Sequence, residues 1–324
     1  MRGEDGERGL GVLETTRFVV ISSDLVKMNE ERIKAVASQI AGQFELPPWN
    51  TRYHFFDGTE RTVNYVLLLD ALNFSFWGEP RWRLDYHGEK LDGYWALAAA
   101  LKRAIEESIP VYDAAYLANL QSGELAQILR GEGEVPLFRE RLANAREVGL
   151  VLLDRYEGKF AKLVETCQGS AVQLACRLAA EFSSFRDVAV YKGHEVRFLK
   201  RAQICAVDLY GAFGGQAWGR FVDLDQLTVF ADYKLPQVLR ALGALVYAPA
   251  LAETVDRMEL IPAGSPAEIE IRANTVWAAE RLKEALRNEG VIASAFEIDW
   301  WLWQKGQEPL PDIRPYHRTR TIYY

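Results

Sequence analysis

The stretch LTVFADYKLPQVLRALGALVY at residues 227–247 decides the class of fold. Its apolar side chains recur at helical spacing, which predicts an amphipathic helix over 236–247 with Pro236 in the first turn. That apolar face comprises Leu235, Val238, Leu239, Leu242, Leu245 and Val246. Asp232 precedes the helix, beside Lys234 and between two aromatic residues. A carboxylate at this point either caps the helix N-terminus or takes part in chemistry.

Most of the remaining chain also has helical periodicity. Further helices are predicted at 28–44, 62–72, 94–109, 136–156, 170–182, 194–210, 275–287 and 296–304. Asp57 and Glu60 stand at capping-box spacing before the second of these. Strand patterns are few and short, at 18–21, 52–56, 82–86 and 268–272, the third being followed by a His87-Gly88 turn. The pattern predicts a mainly α fold with a minor β component.

Composition limits the classes of function. The 324 residues are 49% hydrophobic and carry a formal net charge of -7. The length and composition indicate one compact domain with two lobes, residues 1–324. Residues 1–12 are expected to form a flexible N-terminal tail. No apolar run is long enough to span a bilayer, and the N-terminus lacks the apolar core of a signal peptide. An acidic chain is poorly suited to hold a long polyanion, although a few local cations can meet one phosphate.

Several familiar motifs are absent from the sequence. It contains no GxGxxG after a strand, no GxxxxGK[ST], no HExxH and no GxSxG, and no His/Cys cluster has zinc spacing. The glycines at 211–219 predict a flexible loop between helices. Cys167, Cys176 and Cys205 are odd in number and form no CxxC, which favours buried free thiols in a reducing, cytoplasmic compartment.

Three further segments combine aromatic and charged residues. DALNFSFW at 70–77 places an amide and a hydroxyl among three aromatic rings, which suits either a planar base or an aromatic core. On the predicted helix 194–210, Arg197 and Arg201 are four residues apart, and Lys200 and Asp208 share roughly one face. These charges either face a cleft or form a solvated face. EIDWWLW at 297–303 sets Asp299 among tryptophans, where a buried carboxylate needs a partner.

These segments together resemble the queuosine salvage protein family, the queuosine 5'-phosphate N-glycosylases. The resemblance rests on DALNFSFW at 70–77, YKGHEVRFLKRAQI at 191–204 and the stretch at 227–247. It is reinforced by EIEIRANTVWAAERL at 268–282, EIDWWLW at 297–303 and the final HRTRTIYY. It implies a helical, bilobal fold similar to helical DNA glycosylases, and hydrolysis of queuosine 5'-monophosphate to queuine and ribose 5-phosphate without a metal or other cofactor.

The resemblance also implies roles for individual residues. Asp232, within FADY, becomes the catalytic carboxylate that stabilises an oxocarbenium-like transition state. Lys200 meets the phosphate with help from Tyr233 and Lys234, and either Asp208 or Asp299 holds the queuine amine. The remaining candidates for the base pocket are His54, Phe55, Asn73, Phe74, Phe76, Trp300 and Trp301.

The implied partners are the free nucleotide and queuine, with no stable nucleic-acid complex and no membrane. Two other functions stay open at this point. A DNA-repair glycosylase would share the fold, and a non-enzymatic helical module would bind a nucleobase without cleaving the nucleotide.

Overall fold

Helices account for most of the computed structural model, which describes residues 9–46, 49–308 and 313–324. In the described residues the helices are α1 Val12–Ile21, α2 Glu30–Ile40, α3 Glu60–Leu72, α4 Gly93–Glu106, α5 Ala114–Ala118, α6 Ser122–Ile128, α7 Phe138–Tyr156, α8 Phe160–Thr166, α9 Ala171–Glu181, α10 Lys200–Phe213, α11 Lys234–Ala241, α12 Pro249–Asp256, α13 Pro266–Asn288 and α14 Ala295–Lys305. None of them is both long and apolar enough to cross a membrane.

The strands form three small antiparallel sheets of two strands each. They are β1 Val26–Met28, β2 Arg83–Tyr86, β3 Glu89–Asp92, β4 Val188–Tyr191, β5 His194–Arg197 and β6 Leu245–Tyr247. β2 and β3 form a hairpin in which Tyr86 pairs with Glu89, and β4 and β5 form another in which Tyr191 pairs with His194. β1 pairs with β6, far away in the chain. The prediction of a mainly α fold with a minor β component is confirmed.

α3 is the central helix, and every residue from Thr62 to Leu72 is buried. α3 packs against α4, α7, α8 and α10. Because it is surrounded by other helices, it needs an apolar surface on all sides. Its N-cap is Thr59, whose side chain accepts a hydrogen bond from the Arg61 N–H. The predicted capping box of Asp57 and Glu60 is therefore wrong. Asp57 accepts hydrogen bonds from Thr59 and Thr62 instead.

Most of the predicted helices are confirmed, at α2, α3, α4, α7, α9, α13 and α14. Three of the four predicted strands are wrong, and at two of them tertiary packing produces helices. Residues 18–21 lie in α1, which packs against α13, and 268–272 lie in α13 itself. In α13, Glu268, Glu270 and Arg272 are all buried with partners, so the alternation of charged and apolar residues does not mark a solvent face. Residues 52–56 form turns and irregular structure.

Two predicted helices begin or end elsewhere. The helix predicted at 194–210 is strand β5 followed by α10, because Lys192 and Gly193 adopt positive φ in the hairpin turn and Leu199 does so before the helix. Arg197 and Arg201 therefore share no helix face. The helix predicted at 236–247 ends at Ala241, since Gly243 has φ of 76° and leads into β6.

One continuous cluster of buried apolar side chains extends from Leu10 to Leu302, with a smaller cluster around Tyr191 and Phe198. The single domain with two lobes and the likeness to DNA glycosylases stay predictions. The predicted flexible tail is too long: Leu10 is buried and α1 begins at Val12, while residues 1–8 lie outside the described residues. The cysteines are free thiols as predicted, but only Cys167 and Cys205 are fully buried.

A buried ionic network centres on Arg272 of α13. Its guanidinium donates to both carboxylate oxygens of Asp187, at 2.9 and 2.6 Å, and lies 3.4 Å from Glu268. The Arg272 Nε also donates to the backbone carbonyl of Ala231 at 3.0 Å. The Tyr324 ring stacks on the guanidinium, and its hydroxyl donates to Glu268 at 2.9 Å. One cation thus joins α13, the loop after α9, the loop before α11 and the end of the chain.

Replacement of Arg272 by leucine is expected to destabilise the protein by about 3–5 kcal/mol, because Asp187 and Glu268 would stay buried without their cation. The measurement is the free energy of unfolding from urea titration. Arg281→Leu on the same helix is the matched control, since Arg281 is 43% exposed and its pair with Glu284 should contribute at most about 1 kcal/mol. Equal, small losses in both variants would show that the network does not hold the fold.

Candidate active site

A cavity of about 570 Å³ opens between α3, α4, α10, α14 and the loop before α11. Eleven of the thirteen predicted site residues line it: His54, Asn73, Phe74, Phe76, Lys200, Asp208, Asp232, Tyr233, Lys234, Asp299 and Trp300. These residues come from segments more than 240 positions apart in the sequence, and folding brings them to one place. The cavity is of the size that binds a small organic molecule or a nucleotide.

Asp232 is both a cap and a cavity residue. Its Oδ1 accepts hydrogen bonds from the backbone N–H groups of Lys234 at 2.7 Å and Leu235 at 3.0 Å, at the start of α11. Among the described residues, nothing donates to its Oδ2. The side chain is 7% exposed and lines the cavity. The helix N-terminus therefore holds the carboxylate in position and leaves one oxygen open to a ligand.

The extended segment before Asp232 is held by side chains rather than by a sheet. The Phe230 N–H donates to Asp299 Oδ1 at 2.6 Å, and the Ala231 carbonyl accepts from Arg272. The Thr228 N–H donates to Gln203 at 2.8 Å. Burial raises the pKa of Asp299 well above its usual range, against the effect of the Phe230 hydrogen bond, and neighbouring Asp232 raises it further. Asp299 thus positions the loop that carries Asp232.

Lys200 is the first residue of α10, and its backbone N–H donates to Asp187 Oδ2 at 3.2 Å. The side chain of Lys200 is buried beside the cavity. Burial lowers the pKa of its ammonium group, whereas the nearby Asp232 and Asp299 favour the charged form. Among the described residues its ammonium makes no hydrogen bond, so it can meet an anionic ligand. Lys234 differs, because its ammonium donates to the Gly306 carbonyl at 2.8 Å. The Tyr233 ring packs against Tyr316, at 4.9 Å between centroids.

The loop after α3 forms a second wall, and buried cations hold it. Arg141 donates to the carbonyls of Leu72 and Phe74, and the Ser75 N–H donates to the Tyr324 carbonyl at 2.9 Å. The Phe74 ring lies between Arg141 and Arg201, at 4.4 and 5.1 Å from their guanidinium carbons. This ring is 1% exposed, whereas Phe76 is more accessible to a ligand.

Two predicted residues do not line the cavity. Phe55 packs on Tyr65 and Tyr112, with ring centroids 5.7 and 6.4 Å away. The ring of Trp301 stacks on that of Phe44, with the centroids 6.3 Å apart. Successive residues of α14 are rotated by about 100° around the helix axis, so Trp301 lies on another face than Trp300. Both belong to the packing behind the site.

Other lining residues were missed in the sequence, among them Trp49, Arg81, Tyr94, Trp95, Trp303, Gln304, Gln307, Tyr316 and Tyr324. The helical spacing of Asp299, Trp300, Trp303 and Gln304 could have predicted the part from α14. The others come from loops and from the start of α4, and their sequence gives no comparable signal.

The glycines at 211–219 were predicted as a flexible loop, but residues 211–213 lie in α10 and 217–219 form a single 3-10 turn. Gly211 lies so close to Trp49 that a Cβ there would be 2.8 Å from the indole. The absence of a side chain allows α10 to approach the tryptophan that lines the cavity. Among the described residues, no group of three His, Cys, Asp or Glu side chains could hold a metal ion.

His54 contacts the acidic end of the cavity through Tyr94. Its Nδ1 lies 2.8 Å from the Asn50 carbonyl, and its Nε2 lies 2.8 Å from the Tyr94 hydroxyl. That hydroxyl lies 3.4 Å from Asp208 Oδ2. Burial lowers the pKa of His54 to about 4 and raises that of Asp208 to about 7. A neutral imidazole and a carboxylate that gains or loses a proton near neutrality therefore share this end.

The chain is similar to known proteins of one family. The family model described as "Queuosine salvage protein" matches residues 53–324. A protein of Sphaerobacter thermophilus named queuosine 5'-phosphate N-glycosylase/hydrolase is 51% identical over 322 residues, 99% of each chain. Proteins of the same name from Schizosaccharomyces pombe and Bos taurus are each 34% identical, over 97% and 96% of this chain and 99% and 98% of their own. The chain belongs to the queuosine salvage protein family.

Proposed function

We propose that this protein hydrolyses the N-glycosidic bond of queuosine 5'-phosphate, releasing queuine and ribose 5-phosphate. The observation that carries the proposal is Asp232, a carboxylate with one oxygen fixed by a helix N-terminus and the other open to the cavity. The names of the full-length relatives support the choice of substrate. A net charge of -7 favours a free nucleotide over a nucleic-acid chain as the partner.

Asp232 acts where positive charge develops. As the bond from C1' to the base breaks, its electron pair leaves with the base, and C1' and the ring oxygen become cationic. A fixed carboxylate stabilises this oxocarbenium-like state more strongly than the neutral sugar. Water then adds its hydroxyl to C1', and its proton balances the charge on the departing base. Because a 7-deazapurine lacks N7, protonation of that atom cannot assist departure, which increases the dependence on Asp232.

Lys200 is the proposed phosphate ligand, since its ammonium is free among the described residues and lines the cavity. Lys234 and Tyr233 lie next to Asp232 and are proposed to assist Lys200 in binding the phosphate. A phosphate held away from the reacting carbon supplies binding energy that can position C1' against Asp232.

The base is proposed to lie among aromatic side chains, with Phe76 and Trp300 against its faces and Asn73 at its edge. Asp299 already accepts a backbone hydrogen bond, whereas Asp208 lines the cavity beside Tyr94. Asp208 is therefore the proposed partner of the queuine ammonium. His54 closes this end of the pocket through Tyr94.

Asp232→Asn is expected to lower kcat by about 10²- to 10³-fold, because the amide cannot stabilise a cation as a carboxylate does. The amide oxygen can still accept from Lys234 and Leu235, so the unfolding free energy should change little. The measurement is queuine release from queuosine 5'-phosphate, followed by mass spectrometry. Asp225→Asn, an exposed change in the same connection, is the control. Turnover like wild type in Asp232→Asn would remove Asp232 from the reaction.

Lys200→Met is expected to raise KM for the 5'-phosphate by about tenfold or more, because a charge-assisted hydrogen bond contributes about 1.5–3 kcal/mol. KM for the nucleoside, which lacks the phosphate, should change much less. Lys90→Met is the control, since Lys90 is 64% exposed and pairs with Glu132. Equal losses on nucleotide and nucleoside would place the phosphate elsewhere in the cavity.

A further inference from the structure

α10 presents one line of residues to the cavity. Lys200, Ile204 and Asp208 lie at i, i+4 and i+8 of this helix, and all three line the cavity. Gly211 continues the line nearly one turn beyond Asp208. At a rise of about 1.5 Å per residue, Asp208 is about 12 Å along the helix from Lys200, and Gly211 is about 4.5 Å further. The line therefore ends at a residue without a side chain.

The indole of Trp49 occupies the space that a side chain at position 211 would fill. A Cβ on Gly211 would be 2.8 Å from Trp49 Cε3 and 3.4 Å from Trp300 Cη2. Carbon atoms in contact are about 3.5–4.0 Å apart, so a methyl group here would displace the Trp49 ring. Gly211 lies within α10 and does not have a positive φ. Glycine is therefore required by the close approach of Trp49 and not by the backbone conformation.

Trp49 belongs to an aromatic end of the cavity that includes Asp208. Its ring stacks on that of His54, with the centroids 4.1 Å apart and an interplanar angle of 19°. His54 Nε2 lies 2.8 Å from the Tyr94 hydroxyl, which lies 3.4 Å from Asp208 Oδ2. All four residues line the cavity. Since burial lowers the pKa of His54 to about 4, the wall that continues beyond the Asp208 carboxylate is aromatic and uncharged near neutral pH.

The order of groups in the proposed substrate matches the order of residues on α10. Queuine is a 7-deazaguanine whose substituent is an aminomethyl group joined to a cyclopentenediol. The nucleotide therefore runs from phosphate through ribose and base to the amine and then to a carbon ring. The proposed function has the phosphate at Lys200 and the ammonium at Asp208. The group that follows the amine then lies beside Gly211 and Trp49, where an indole offers a large and rigid contact surface.

We propose that the Trp49 end of the cavity is a subsite for the carbon ring that the base carries beyond its amine. Trp49 is the specificity-determining residue, because its indole contacts that ring. Gly211 is a positioning residue, which admits the indole without touching the ligand. The proposal deepens the proposed function and rests on Asp208 as the partner of the amine.

The experiment measures Kd by calorimetry for the full chain and its variants with three ligands. These are queuine, 7-(aminomethyl)-7-deazaguanine, which has the amine without the carbon ring, and 7-deazaguanine, which has neither. Trp49→Ala is expected to weaken queuine binding by about tenfold, because the carbon ring loses its aromatic contact. The two ligands without that ring should change by less than about twofold, which would show that the rest of the pocket is intact.

Gly211→Ala places a methyl group against the indole and is expected to weaken queuine binding selectively, by about threefold or more, because Trp49 must move. In the Trp49→Ala background the same substitution should have no further effect, since no indole remains to be displaced. Gly123→Ala in α6 is the matched control, because a Cβ there would meet no atom within 4 Å.

Four outcomes would count against these ideas. Unchanged queuine binding in Trp49→Ala, or equal weakening of all three ligands, would overturn the subsite. Wild-type binding of queuine no tighter than that of the aminomethyl ligand would do the same. An effect of Gly211→Ala that persists in the Trp49→Ala background would overturn the positioning role of Gly211. Absence of queuine binding to the wild-type chain would instead contradict the proposed function.

Discussion

The buried pair of Arg272 and Asp187 is the interaction on which the site depends. Arg272 donates to the Ala231 carbonyl, one residue before Asp232, and Asp187 receives both the guanidinium and the backbone N–H of Lys200. Irregular backbone buried beside a cavity must find hydrogen-bond partners outside any helix or sheet. Here one ion pair supplies a partner both for the Ala231 carbonyl in the loop that carries Asp232 and for the Lys200 N–H at the start of α10, while Asp299 and Gln203 hold the rest of that loop. The carboxylate and the ammonium of the site are therefore placed relative to one another by groups that lie outside it.

The opposite wall follows the same principle with different residues. Arg141 and Arg201 give their hydrogens to backbone carbonyls in 70–75 and 184, and the Phe74 ring lies between them. These guanidinium groups are near the cavity but are already engaged, so they order the wall more than they attract an anion. This distinction supports the proposal that Lys200 meets the phosphate.

The sequence predicts a secondary-structure element correctly where the periodicity of its apolar residues matches their burial in the fold. The prediction fails where the two differ. α7 and α14 carry apolar residues at helical spacing, α3 is apolar on all sides, and all three helices are predicted correctly. Glu268, Glu270 and Arg272 alternate with apolar residues and imitate a strand, because no local pattern shows that all three charges are buried and paired. The family resemblance implied that Phe55 and Trp301 line the base pocket beside His54 and Trp300, but the side chains of sequence neighbours diverge and these two pack behind the cavity.

Asp232 posed a choice between helix cap and catalyst, and the structure makes the alternatives compatible. Capping uses Oδ1 alone, and the two N–H donors orient Oδ2 towards the cavity. A freely rotating carboxylate would have to be ordered during the reaction, whereas this one is ordered when the protein folds. The two N–H donors that hold Asp232 belong to the protein backbone, so the capping role of Asp232 is compatible with the catalytic role proposed for it.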